Sequence, residues 1–241
     1  MTAPHFFVDR LEGASTALLS IEDSKHALRS LRLRTGEEVT LADGLGQWAE
    51  ARFAGDEQGR AAFDITRAER RDHPKPYVSV ALAPPKGDRL SWAIQKLAEL
   101  GVEEAVLMET ERSVRAWPAD RAGRMLERQR TVAREASMQA RSPFVMEVRV
   151  ARDLDEMLCP PGSPAVLLTE GADRPLSTVL PEGVEGVRLL VGPEGGFSEA
   201  ETRRAESSGA NVASLGSSIL RTETAAVVGA ALLLAHYGRL G

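Results

Sequence analysis

From Tyr77 onward the chain sets short, mostly apolar runs between amphipathic stretches, and that alternation restricts the fold more than any other feature. The runs are "YVSVALAPP", "EAVLMET", "AVLLTE" and "VRLLVG". They have the length and texture of strands covered on both faces. Between the first two lies "DRLSWAIQKLAELG", in which Leu90, Ile94, Leu97 and Leu100 share one helical face. Asp88 is placed to cap that helix and Gly101 to stop it. Strand and helix in alternation predict a parallel α/β sheet.

The preceding residues have another texture. "EEVTLADGLGQWAEARFA" alternates apolar and polar residues around Asp43-Gly44, and "GRAAFDITRAE" follows. Period-two alternation with glycine turns predicts a small antiparallel sheet or barrel. Within it, "SKHALRSLRLRTGEEV" is helical in its first half, and "RRDHPKPYVS", with prolines at 74 and 76, reads as a linker. The expected division is a β-rich domain over residues 1–72 and an α/β domain over 73–241.

With 241 residues, 43% of them hydrophobic, there is enough chain for one large domain or two modest ones. Cys159 is the single cysteine, so no intrachain disulfide can form, and a reducing, cytoplasmic setting is expected. "MTAPHFFVDRLEG" lacks the basic start and apolar stretch of a signal peptide. The most apolar segment, "AAVVGAALLLA", is shorter than the roughly 20 residues a bilayer needs and reads as a buried helix. No membrane partner and no metal site are expected. The net charge of −5 disfavours a nucleic-acid partner, but charge distribution matters more than the total. From Arg112 to Arg152 there are ten arginines and four acids, a local balance of +6. Such a window is either a solvated helical face or a surface for a polyanion.

The stretch with most chemical content is "LLVGPEGGFSEAE", Leu189 to Glu201. An apolar strand stops at Gly192-Pro193-Glu194-Gly195-Gly196, and a helix follows at once. Ligands of open parallel sheets sit beyond the carboxyl ends of strands, where these glycines fall. Ser198 and Glu201 match a capping box, which covers the free amides of the first turn. A helix start already capped, with Glu194, Glu199 and Glu201 nearby, is a poor phosphate site. Neither the P-loop pattern nor G-x-G-x-x-G occurs, which disfavours a nicotinamide-linked oxidoreductase. A phosphate-free ligand with a positive centre, such as S-adenosylmethionine, suits the loop better; a purely structural turn is the alternative. About twenty residues later, Gly216 and "SSILRTETA" lead into the apolar helix, with Thr222 or Thr224 as its cap. Arg221 and Glu223 are costly beside so apolar a helix unless they pair or act. Two such loops at neighbouring strand ends would enclose one small-molecule pocket.

These segments together resemble the signature loops of the ribosomal RNA small subunit methyltransferase E family, in the SPOUT superfamily of trefoil-knotted methyltransferases. The resemblance extends through "APPKGDRLSWAIQKLAELGVEEA", "ERSV" and, at the front, "HALRSLRLRTGEEVTLADG", which is similar to the family's PUA-like RNA-binding domain. It implies an α/β fold with a trefoil-knotted parallel sheet, helices on both faces and a small N-terminal β-barrel. It also implies a homodimer that methylates N3 of one uridine near the 3′ end of 16S ribosomal RNA in the small subunit, with S-adenosylmethionine as donor. Carried over by position, Gly192, Pro193, Glu194, Gly195 and Gly196 form one wall of the cofactor pocket. Leu215, Gly216, Ile219, Leu220 and Thr222 form the other, with Leu168 and Thr169 as neighbours. Arg29 and Arg32, with His26, are expected to meet RNA, as are Lys86, Arg89, Gln139 and Arg141. Ser218, Ser142 and Met146 depart from the family pattern at substrate-side positions.

Uridine N3 carries a proton and is a poor nucleophile until it loses it, so a base or a cation that polarises the imide is required. Arg221 is expected to stabilise the developing anion, with Glu223 orienting it or accepting the proton; a purely structural Arg221–Glu223 pair is the other reading. Two rival functions stand beside this one: a knotted methyltransferase acting on another RNA nucleotide, and a catalytically silent RNA-binding or ribosome-assembly protein.

Overall fold

The computed structural model describes residues 3–113, 122–158 and 163–241. Arg115, Asp120, Arg121 and Cys159, which figure in the sequence reading, lie outside the described residues. Two compact units form, one of residues 1–73 with 137–145, the other of 74–136 with 146–241. The segment 137–145, assigned from sequence to the α/β domain, thus groups with the β-rich part.

In the first unit, β1 (His5–Phe7), β2 (Thr16–Leu18), β3 (Glu38–Ala42), β4 (Gln47–Glu57) and β5 (Arg60–Arg70) form one sheet in the order β1-β3-β4-β5-β2. It is mixed rather than purely antiparallel, because β1 runs parallel to β3 while the other pairings are antiparallel. The Asp43 carboxylate accepts the Leu45 and Gln47 amides at 2.7 and 3.0 Å, which closes the β3–β4 turn. Phe63 sits at the centre of the core, 6.0 Å from Phe6 and 5.6 Å from Phe53 between ring centroids. A short helix, α1 (Ile21–Lys25), continues as a π-turn over His26–Leu31 and ends at Arg32, whose φ is 53°. Phe144 explains why 137–145 belongs here: its ring stacks on His73 at 3.7 Å and lies against the β3–β4 turn. At Gly46, whose φ is 104°, a Cβ would stand 2.6 Å from the Arg71 carbonyl and 2.8 Å from the Phe144 ring. Only glycine fits there.

The second unit is a six-stranded, wholly parallel sheet of β6 (Tyr77–Leu82), β7 (Glu104–Leu107), β8 (Glu147–Val150), β9 (Ala165–Leu168), β10 (Gly186–Val191) and β11 (Asn211–Ala213). Its order is β11-β9-β10-β6-β7-β8. Four strands coincide with the apolar runs of the sequence. The edge strand β8 has the pattern Glu-Val-Arg-Val and lacks the continuous apolar signature that betrays a central strand.

α2 (Arg89–Glu99) and α6 (Thr222–His236) cover one face, joined by Ala133 and Ala136 of α3 (Ala122–Gln139). α4 (Leu154–Leu158) and α5 (Glu199–Ser207) cover the other through Leu154, Met157, Leu158 and Ala205. In α2, Leu90, Ile94 and Leu97 are buried and Leu100 half-buried, as their spacing predicts. Asp88 occupies the N-cap position but its side chain caps nothing; it meets Arg128 at 3.3 Å instead. α6 approaches the sheet at Gly229, where a Cβ would lie 2.6 Å from Leu189 and 3.1 Å from Leu168. Among the described residues no helix is long and apolar enough to cross a membrane.

Candidate active site

The strand order reverses direction at β6: β7 and β8 are laid to one side, β10, β9 and β11 to the other. Loops leaving β9, β10 and β11 therefore open at one edge of the sheet, where parallel sheets place their ligands. The β10 loop begins at Gly192, which packs so closely on Phe197 that a Cβ would sit 3.1 Å from the ring and 3.2 Å from the Phe197 nitrogen. A turn follows, closed by the Gly196 amide donating to the Pro193 carbonyl at 2.8 Å, with Gly196 at φ 66°. The predicted capping box is present in full. Ser198 Oγ accepts the Glu201 amide at 3.1 Å and Glu201 Oε2 accepts the Ser198 amide at 2.8 Å. The box occupies the Ser198 and Glu201 amides and places a carboxylate at the start of α5, which therefore offers little to an anion.

The loop after β11 is pinned at its start, where Ser214 exchanges backbone bonds with Arg174 and Leu176. It then runs through Gly216, at φ 114°, to Arg221 at the start of α6. Neither threonine caps α6. Its N-cap residue is Arg221, without a side-chain bond, and Thr222 Oγ1 donates instead to the Gly192 carbonyl at 3.0 Å. One loop is thereby tied to the other.

Both loops line a single cavity of about 200 Å³. Leu168, Thr169, Gly192, Pro193, Glu194, Gly196, Leu215, Gly216, Ile219, Leu220 and Thr222 are brought together in its wall, as is Arg221. Sequence reasoning missed Glu170, Val191, Ser214 and Ala225, and treated Ser218 only as a departure, although it also lines the wall. Each of the four neighbours a residue already named and carries no signal of its own. Gly195 faces the other side of its loop, in a second cavity of about 550 Å³ that shares Thr169, Glu170, Glu194 and Gly196 with the first. The first cavity has apolar walls at Leu168, Val191, Leu215, Leu220 and Ala225, carboxylates at Glu170 and Glu194 and, among the described residues, one cation, Arg221. Ile219, 79% exposed, forms an uncovered apolar lip.

Glu223 does not line this cavity. Its carboxylate is buried on the α2 side, 3.7 Å from Arg89 Nε, with Oε2 lacking a hydrogen-bond partner among the described residues. Arg221 is exposed, and no ion pair joins it to Glu223 among the described residues. Lys86 is exposed in the loop before α2, and Arg89 is the first residue of that helix. His26, Arg29 and Arg32 are exposed on the π-turn of the first unit. Gln139 and Arg141 lie in its 137–145 segment, Arg141 at φ 58°.

The +6 window is not one free basic face. Arg149 is bonded to Glu104 and Glu156, each at 2.6 Å, and Arg130 to Glu127 and the Val148 carbonyl. Arg152 also meets Glu156, at 3.4 Å. The Arg152 amide and the Arg149 guanidinium hold the Glu156 carboxyl below its ordinary range.

Comparison with known proteins agrees with this architecture. A family model described as an RNA methyltransferase domain matches residues 72–234, and one described as an RNA methyltransferase PUA domain matches residues 19–63. The ribosomal RNA small subunit methyltransferase E of Mycobacterium tuberculosis is 30% identical over 239 residues, covering 95% of this chain and 90% of the relative. The chain belongs to the ribosomal RNA small subunit methyltransferase E family. The methyltransferase E of Bacillus subtilis is 29% identical over 228 residues, covering 90% of this chain and 88% of its own. Among solved structures, the methyltransferase E of Neisseria gonorrhoeae bound to S-adenosyl methionine superposes with a TM-score of 0.84 at 28% identity. That match covers 97% of this chain and 98% of the other. Methyltransferase E relatives thus share both units of this chain, not the α/β unit alone.

Proposed function

We propose that this chain transfers a methyl group from S-adenosylmethionine to N3 of one uridine near the 3′ end of 16S ribosomal RNA. The observation that carries the reading is the cavity shared by the β10 and β11 loops, beside a helix start closed by its own capping box. An apolar slot edged by two carboxylates fits a ligand with an aromatic base, a cationic centre and no phosphate. S-adenosylmethionine supplies a methyl group on a positively charged sulfur, activated for in-line displacement.

The residues do the rest. Leu168, Val191, Leu215 and Leu220 provide the apolar wall for the adenine, and backbone groups of the 215–220 segment provide its polar contacts. Glu170 and Glu194 offer negative charge to the sulfonium and the ammonium. Fixing both reactants in such a slot and excluding water supplies most of what a methyl displacement needs. Arg221, the cation of the cavity wall, is placed to stabilise the uridine imide as N3 gives up its proton. Glu223 holds Arg89 across the α2–α6 contact rather than orienting Arg221, so its part is to brace the start of α6.

His26, Arg29 and Arg32, with the 19–63 region similar to a PUA domain, are assigned to the RNA backbone. Residues 1–72, with the 137–145 segment that groups with them, are assigned as the RNA-binding domain and the rest of 73–241 as the catalytic one, in a cytoplasmic protein for which the trefoil knot of its family is proposed. A homodimer is supported by α6, which is apolar all round and leaves Val228 and Leu232 exposed. Calorimetric titration with S-adenosylmethionine tests the reading: saturable one-site binding supports it, and no heat at millimolar donor removes it.

A further inference from the structure

The "ERSV" segment matched the family pattern in sequence without acquiring a role, and the structure gives Glu111-Arg112-Ser113 one. These residues follow β7 in a turn that braces itself. The Thr110 amide donates to Ser113 Oγ at 3.0 Å, the two hydroxyls meet at 2.9 Å, and the Ser113 amide returns to the Thr110 carbonyl at 2.9 Å. Two bonds tie this turn to the start of α5 and to the β10 loop. The Glu111 amide donates to Glu201 Oε1 at 2.9 Å, so the fully buried capping-box carboxylate bridges two segments. Arg112 Nη1 donates to the Gly195 carbonyl at 2.8 Å.

Gly195 is the point of the loop that most needs an external tie. Thr222 holds the loop at Gly192 and the capping box holds it at Ser198. Between them stand two consecutive glycines, the most permissive backbone in the chain. Arg112 lies on the far side of the loop from the first cavity, in the wall of the second, while Glu194 and Gly196 face both. Its guanidinium therefore fixes the back of a wall whose front faces the proposed donor.

We infer that Arg112 is a positioning residue for the methyl donor: its bond to the Gly195 carbonyl sets the β10 loop in its binding shape before the donor arrives. The inference rests on the donor assignment above. A preorganised loop binds more tightly because its ordering does not have to accompany binding.

The test compares wild type, Arg112→Ala and Arg112→Lys in the full chain, measuring S-adenosylmethionine affinity by calorimetry, RNA affinity, melting temperature and turnover at saturating donor. Arg112 is exposed, so its truncation leaves the core intact. Arg112→Ala is expected to weaken donor binding about tenfold, the equivalent of one charge-assisted hydrogen bond. RNA affinity, melting temperature and saturated turnover should stay within about twofold or a degree or two of wild type. Arg112→Lys should recover most of the donor affinity, because an ammonium can also reach the carbonyl.

Unchanged donor affinity in Arg112→Ala, with wild type binding normally, overturns the inference. So does a loss confined to RNA affinity, which would make Arg112 an RNA contact, or a fall in melting temperature that lysine does not reverse. Wild type failing to bind the donor is a different result: it removes the cofactor assignment itself, and the clamp with it.

Discussion

Thr222 Oγ1 donates to the Gly192 carbonyl across 3.0 Å, so the first residue of α6 is bonded to the first residue of the β10 loop. The bond is buried and joins the two walls of the candidate cofactor cavity. Thr222→Val keeps the shape and leaves the carbonyl unpaired. That change should cost about 1–3 kcal/mol of stability in denaturant unfolding and weaken S-adenosylmethionine about five- to tenfold. Serine, which retains the hydroxyl, should restore most of both.

Arg221 lines the same cavity but, among the described residues, meets no carboxylate that would explain it as a brace. Arg221→Ala should therefore leave donor affinity within about threefold of wild type while lowering turnover by about 10²–10³, as loss of a stabilising group at a developing anion does. Single-turnover methylation with saturating donor and RNA measures it. Glu223→Gln should behave differently, shifting stability and the Arg89 contact more than the chemical step.

The first unit makes an electrostatic prediction. Replacing Arg29 and Arg32 by alanine should weaken RNA binding and reduce the slope of log affinity against log salt by about one per arginine that meets a phosphate. Titrations between low and physiological salt give the slope. Replacing Arg149 should instead lower stability, because its guanidinium already serves Glu104 and Glu156 inside the second unit.

His5 carries a pH dependence of folding. Burial lowers its pKa from 6.5 to about 4, with the positive charges of Arg141 and Arg71 acting in the same direction. Below 6.5 the unfolded chain takes up a proton that the folded chain refuses, so stability falls as pH drops through this window. The contribution is complete above 6.5 and lost near 4, in all on the order of 3 kcal/mol. Unfolding of wild type and His5→Gln across pH 4–7 should show the difference between them shrinking toward acid.

Much of this architecture was legible in the sequence, and the parts that were not share physical reasons. β6, β7, β9 and β10 are central strands, so their apolar runs announce them, and the Ser198–Glu201 box is local chemistry that needs no tertiary context. β8 lies at an edge and alternates charge with valine, so its pattern is that of an exposed segment. The return of 137–145 to the first unit depends on Phe144 finding His73 and Gly46, a contact between residues some seventy and a hundred positions apart in the chain. The role of Thr222 was equally hidden, because a threonine at a helix start reads as a cap whether its hydroxyl turns back to the helix or across to Gly192. Glu223 was assigned to Arg221 by proximity in sequence; the helical path points it instead at α2, where Arg89 stands.

The most direct measurement incubates the protein with S-adenosylmethionine and small-subunit ribosomal RNA, digests the RNA and identifies the methylated nucleoside and its position by mass spectrometry. The account predicts N3-methyluridine at a single site near the 3′ end, formed only when protein and donor are both present. A methyl group on any other nucleoside, or RNA left unmodified by protein that binds the donor, would contradict it.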